Sequence, residues 1–82
     1  MYYVYVLHSV SRDRFYIGYT HDLKQRFSQH NQAHNIATKS GVPWDLVYYE
    51  AYPTKASATE RERKLKHHGK GLAEIKKRIS FC

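Results

Sequence analysis

Tyr2-Tyr3-Val4-Tyr5-Val6-Leu7 is followed, after a short polar stretch, by Phe15-Tyr16-Ile17-Gly18-Tyr19, and these two runs decide the fold. Both consist of residues that favour extended backbone. The segment between them, Ser9-Val10-Ser11-Arg12-Asp13-Arg14, is polar and turn-like, so the pair reads as a β-hairpin with a longer loop. The two-residue period puts Tyr3, Tyr5 and Leu7 on one face and Tyr2, Val4 and Val6 on the other. Both faces are apolar, so other elements must cover the sheet on both sides. Gly18 ends the second run and lets the backbone turn there or come close to a neighbour.

Downstream, Thr20 and Asp22 are candidate N-caps for a helix from Leu23 to about Gln32, with Leu23 and Phe27 one turn apart on its buried side. Asn35–Pro43 reads as a loop, polar and basic at Thr38-Lys39-Ser40-Gly41. Trp44–Tyr52 contains a third strand around Leu46-Val47-Tyr48-Tyr49. Pro53 stops it, and Thr54 can cap a helix running from about Lys55 to His67. Gly69 and Gly71 are expected to break that helix before a short final one, about Leu72–Arg78, with Leu72, Ile75 and Ile79 as its apolar stripe. The expected class is α+β: a small three-stranded antiparallel sheet flanked by helices, in the order β-β-α-β-α-α. Residues 1–82 are expected to form one domain.

Composition narrows the function. Fourteen Lys and Arg against seven Asp and Glu give a net charge of +7, which favours polyanions such as nucleic acid or an anionic surface. Cys82 is the one cysteine, so no disulfide forms within the chain and a reducing, cytoplasmic setting is expected. No apolar run approaches the ~20 residues of a membrane span, and Met1-Tyr2-Tyr3-Val4 lacks the basic start of a signal peptide. No membrane association is expected.

The second helix carries two candidate acids. Ala58, Glu62 and Leu65 are spaced by four and three, so they share a face, and Leu65 is the one large apolar residue of that helix. Glu62 therefore points towards the core or its margin. Glu60 lies about 140° from Leu65, at ~100° per residue, and faces solvent. A carboxylate beside a buried stripe needs a cation, a hydrogen-bond donor or a metal. Lys66, one turn on, would be the ordinary i,i+4 partner.

Taken together, Val4-Tyr5-Val6, Tyr16-Ile17-Gly18, the segment Thr20-His21-Asp22-Leu23-Lys24-Gln25-Arg26 followed by His30, and Glu62-Arg63-Lys64-Leu65-Lys66 resemble the GIY-YIG nuclease domain across nearly the whole chain. The likeness is to the small bacterial type, similar to the N-terminal incision domain of the excision-repair nuclease. The first triplet lacks its glycine. The family also has an asparagine near the end of the domain, whereas Asn31 and Asn35 both fall early.

The resemblance implies a divalent-metal-dependent endonuclease that hydrolyses phosphodiester bonds in DNA, or in RNA. It implies that Glu62 holds one Mg²⁺ or Mn²⁺, that Arg26 grips the scissile phosphate, and that Tyr5 orients or deprotonates the attacking water. Tyr16 would help position that water, and His30 would hold the phosphate or relay a proton. Arg26, Lys39, Lys64, Lys66 and Lys70 are the expected nucleic-acid contacts. His30 and His34, four apart, offer a weaker zinc alternative that no cysteine or acidic triad completes. Two other readings stay open: a catalytically weak binding module of the same fold, and an interaction domain for an acidic partner. A protein partner that supplies target choice is expected because no second domain is visible, and the chain is expected to be a monomer or weak homodimer.

Overall fold

The computed structural model describes residues 1–32, 39–67 and 69–79, the side chains of Lys39, Gly69 and Lys70 apart. It contains strands β1 (Tyr2–Ser9) and β2 (Phe15–Thr20), helix α1 (Leu23–Asn31), a 3-10 turn (Lys39–Gly41), strand β3 (Trp44–Tyr52), and helices α2 (Lys55–His67) and α3 (Gly69–Ile79). The order β-β-α-β-α-α and the α+β class are those expected. The sheet is antiparallel with β1 in the centre, in the order β2-β1-β3.

The alternation of β1 sorts the core into two layers. Val4 and Val6 pack with Ile17, Ala58, Leu65 and Ile75 on the face covered by α2 and α3. Tyr5 and Leu7 pack with Trp44 on the opposite face, where Leu23 and Phe27 of α1 close the layer. A strand with one wet face would carry polar residues at alternate positions, and Tyr2–Leu7 has no charged or amide side chain at any of its six. Here Val4 through Leu7 are all essentially inaccessible. A β-bulge adjusts β3 to this scheme. Val6 pairs with Tyr48 but Leu7 pairs with Leu46, so Val47 is the extra residue. Trp44 and Leu46 consequently face α1, whereas Tyr48 and Tyr52 pack on the α2–α3 side.

Local chemistry sets the element ends. Asp22 caps α1, its carboxylate accepting from the Gln25 backbone N–H at 3.1 Å. Thr54 accepts likewise from Ser57 N–H at 3.2 Å. Buried Ser9 donates its hydroxyl to the Gly41 carbonyl at 2.6 Å, which ties the hairpin to the 3-10 turn. Part of the loop expected over Asn35–Pro43 is thus a 3-10 turn, and its residues 35–38 lie outside the described residues.

α3 starts earlier than expected, at Gly69 instead of Leu72. Gly71 does not end a helix; it makes room for one. A Cβ there would sit 2.9 Å from a Leu65 methyl, so glycine lets α3 lie directly on α2. The intrinsic penalty of glycine in a helix, about 1 kcal/mol, is offset by that packing.

A charged cluster fastens α2 to the sheet. Glu50 of β3 accepts from Arg61 Nε at 2.8 Å and Nη2 at 3.1 Å, from Tyr48 at 2.6 Å and from Tyr52 at 2.7 Å. Burial pushes this carboxyl up, but the bonds from Arg61, Tyr48 and Tyr52 and the Arg61 charge outweigh it and hold Glu50 at about 2. The Tyr52 phenol is pushed up to about 12 by burial and by its bond to Glu50. Because the Glu50 carboxyl is depressed on folding, its contribution is complete above its ordinary range near 4.5 and is lost as pH falls towards about 2. In urea titrations, the native protein should lose on the order of 2–3 kcal/mol through this group across that window. Glu50→Gln should be about 1–3 kcal/mol less stable at pH 7 and should lack that share of the acid dependence.

Candidate active site

The site is built around one buried phenol. Tyr5, in the middle of β1, is 1% exposed and stands opposite Gly18 in the β1–β2 register. Its ring lies across that glycine: a Cβ at position 18 would meet Tyr5 Oη at 2.5 Å. The empty space lets the phenol extend across β2 towards α1, where Tyr5 Oη and His30 Nε2 are hydrogen-bonded at 2.9 Å. His30 is fully buried, in the last turn of α1. Tyr16 of β2 packs on both, with ring centroids 5.0 Å from His30 and 6.5 Å from Tyr5, and Trp44 meets Tyr16 edge-on at 6.3 Å.

The end of α1 is held in place by Asn31. Its amide accepts from Trp44 N–H at 2.6 Å and donates to the Trp44 carbonyl at 3.0 Å, in the manner of a neighbouring strand. That clamp fixes the residue next to His30 and therefore the imidazole itself. Sequence reasoning set Asn31 aside; its role here is to position α1 against β3.

Electrostatics join the remaining residues. Burial pushes the Tyr5 phenol up, the Arg26 guanidinium draws it down by hydrogen bonding and charge, and Tyr16 and the Glu62 carboxylate raise it further. Tyr5, Tyr16, Arg26 and Glu62 thus share one electrostatic neighbourhood. The two helices reach it from opposite faces, with α1 on the Tyr5 side and α2 packed on β1 and β2 from the other. Burial, and then the Arg26 charge, lower the His30 imidazole below its ordinary value. The buried imidazole, its charged form disfavoured, therefore meets the Tyr5 phenol and not the surface.

Arg26 is half-buried and donates to the Gln29 amide oxygen at 3.4 Å. Together they line an open cleft of about 520 Å³ with Lys55, Gln25 and Thr20. Lys55, the first residue of α2, and Gln29 were not singled out from sequence. The i,i+3 spacing of Arg26 and Gln29 was available as a signal, whereas nothing local linked Lys55 to Arg26.

Glu62 lies between Ala58 and Leu65 on the inner face of α2, as its spacing requires, and its side chain is 20% exposed. Glu60 is exposed and pairs with Arg63. Lys66 Nζ stands 3.6 Å from Glu62, so the ordinary i,i+4 pair does form, loosely. Lys64 is exposed and lies about 200° around α2 from Glu62, at ~100° per residue, which removes it from the face of the site. Lys39 and Lys70 have side chains outside the described set, and His34 is outside the described residues. Among the described residues no group of three or more His, Cys, Asp or Glu stands together as an ion site. A single, partly open carboxylate with one loose ion pair nevertheless fits a hard divalent cation that keeps most of its waters.

The two tyrosine triplets, the Arg/His helix and the inward glutamate define the class: the chain belongs to the GIY-YIG family, whose GIY-YIG catalytic domain model matches residues 1–78. More particularly, it is 38% identical over 77 residues to a UPF0213 protein of Streptococcus pyogenes serotype M3, covering 89% of this chain and 83% of that one. It is 33% identical over 67 residues to a UPF0213 protein of Haloquadratum walsbyi, covering 80% and 74%. The solution NMR structure of the UPF0213 protein BH0048 from Bacillus halodurans has the same arrangement of sheet and helices. It aligns with a TM-score of 0.56 at 29% identity, over 93% of this chain and 84% of that one. Membership supports a nuclease-like role with nucleic acid as the binding partner. Among the described residues no helix is long and apolar enough to cross a membrane.

Two measurements check this geometry. An NMR titration of the His30 ring should place its midpoint below the ordinary value of about 6.5. Gly18→Ala should force the Tyr5 ring aside, costing about 1–3 kcal/mol of stability and breaking the Tyr5–His30 bond. An unperturbed His30 resonance in Gly18→Ala would contradict the close approach.

Proposed function

We propose that this chain is a divalent-metal-dependent endonuclease that hydrolyses phosphodiester bonds, with DNA preferred over RNA. The observation that carries the reading is the buried Tyr5–His30 hydrogen bond, with Arg26 and Glu62 both acting electrostatically on the same phenol. Tyrosine by itself is a poor base near neutral pH. A neutral imidazole at hydrogen-bond distance changes that, because it can take the phenolic proton as the phenol oxygen takes one from water. His30 thereby gains the relay role, Tyr5 passes it the proton taken from water, and Tyr16, half-buried on the adjacent strand, orients that water. Arg26, steadied by Gln29, holds the phosphate with its planar donor fork, and Lys55 adds charge across the cleft.

Glu62 would hold Mg²⁺ or Mn²⁺, and such an ion, when bound, neutralises charge on the phosphate and helps the leaving oxygen. Lys66 then loses its carboxylate partner and becomes available to the phosphate backbone. One observation favours the alternative, a binding module of the same fold with little or no activity: the Glu62–Lys66 pair gives Glu62 a structural occupation that needs no ion.

The test is cleavage of labelled single-stranded, nicked, branched and duplex DNAs and of RNA, in Mg²⁺, Mn²⁺ or EDTA. Tyr5→Phe, His30→Ala and Glu62→Ala should each lose about 100-fold or more of a metal-dependent activity. Because His30 is lowered, the native rate should persist at mildly acidic pH, where an ordinary histidine would already be half protonated. Salt-sensitive binding without cutting under every condition would favour the binding module.

A further inference from the structure

A second groove lies on the other side of α1. Tyr49 of β3 is 55% exposed, and its ring meets that of Tyr3 edge-on, with centroids 6.1 Å apart. Leu23 and Phe27 of α1 and Leu46 of β3 complete an apolar trough of about 550 Å³ beside them. Scattered exposed aromatics are ordinary on a small protein. Here Tyr3 props the Tyr49 ring from its edge at the mouth of an apolar trough, which leaves a face of Tyr49 open for a planar ring to stack on.

We propose that this trough holds an unpaired nucleobase of the substrate, stacked on Tyr49, close to the phosphate gripped by Arg26. This rests on the nucleic-acid reading above and narrows its substrate to strands with an unpaired nucleotide near the cut. Three observations select a nucleobase over an apolar protein segment. The rim carries Lys24 and His21 beside Asp22, whose carboxylate is engaged in capping α1, and the chain has a net charge of +7, so a polyanion is drawn to this surface. His21 lines both this trough and the Arg26 cleft, so the two are continuous around the start of α1. The register also sets a short span. Tyr49 and Gly18 are the two cross-strand partners of Tyr5, so their backbones stand two strand spacings apart, about 10 Å, and a nucleic-acid strand passing around the start of α1 at His21 can join the two sites. A base in a duplex has both faces covered by its neighbours, so only an unstacked one can enter.

Binding in EDTA separates this site from catalysis. Fluorescence anisotropy would compare a labelled single-stranded oligodeoxynucleotide with the blunt duplex of the same sequence, using the native chain, Tyr49→Ala and Tyr49→Phe. The native chain should prefer the single strand. Tyr49→Ala should weaken single-strand binding about five-fold or more, and Tyr49→Phe, which keeps the ring, should not. In the native chain, an abasic nucleotide at one position should cause the same loss, and in Tyr49→Ala it should cause none. Native and Tyr49→Ala binding equally well, or indifference to abasic nucleotides at every position, would overturn the stacking site while leaving the nuclease reading intact. Unchanged affinity with a dimer converted to monomer by Tyr49→Ala would assign the trough to a second copy of this chain and overturn it as well. A native chain that binds no nucleic acid would overturn both proposals.

Discussion

The Tyr5 phenol crossing Gly18 to reach His30 is the constraint on which the rest of the molecule depends. It requires β1 to be central, since only a middle strand can have its side chain roofed by a helix and flanked by a strand on each side. It requires glycine on the facing strand. It requires α1 to deliver its last turn, and not its first, above the middle of the hairpin. The Asp22 cap, the Leu23 and Phe27 contacts and the Asn31 clamp on Trp44 all serve that placement. A polar pair so fully removed from water is costly unless both members are satisfied, which is why the surrounding geometry is so closely determined.

The opposite face is organised by a second polar device with different physics. Glu50 gathers four hydrogen bonds from Arg61, Tyr48 and Tyr52 and stays ionised far into the acid range. The bidentate fork from Arg61 fixes not only the distance of α2 from the sheet but also its rotation, because a planar guanidinium accepts few orientations. Glu62 is the next residue. Its inward presentation thus follows from an ion pair on the neighbouring side chain as much as from Ala58 and Leu65. The tyrosines that look redundant in the sequence divide between these devices: Tyr5 and Tyr16 attend the imidazole, and Tyr48 and Tyr52 attend the carboxylate.

Much of this was legible in the residues alone, because periodicity is a local signal. The alternation of Tyr2–Leu7, the three-and-four spacing of Ala58, Glu62 and Leu65, and the stripe of Leu72, Ile75 and Ile79 each fix a face without knowledge of the partner. Relations between distant residues were not legible. Tyr5 and His30 lie 25 residues apart, and no pattern within either segment announces their bond. Glu50 was overlooked because its partners arrive from both the same strand and a later helix. The bulge at Val47 was hidden because a shift in phase is visible only against the strand it pairs with. α2 ends at His67, as the following glycines predict, but Gly71 lies inside α3, where close packing on Leu65 outweighs its intrinsic preference.

The strand order carries a consequence for how the chain acquires its shape. The central strand, β1, is made first, and its second neighbour, β3, ends only at Tyr52. Until then one long edge of β1 has its backbone amides and carbonyls uncovered, beside the most apolar stretch of the chain. The hairpin of β1 and β2 closes locally and quickly, but the sheet is completed by a pairing that spans some forty residues, with the slower search that such separation entails. During synthesis the interval between the emergence of Leu7 and of Leu46 is therefore the period of greatest exposure to mispairing. α1, which forms within that interval, is positioned to shelter the Tyr5 face while the last strand is still on its way.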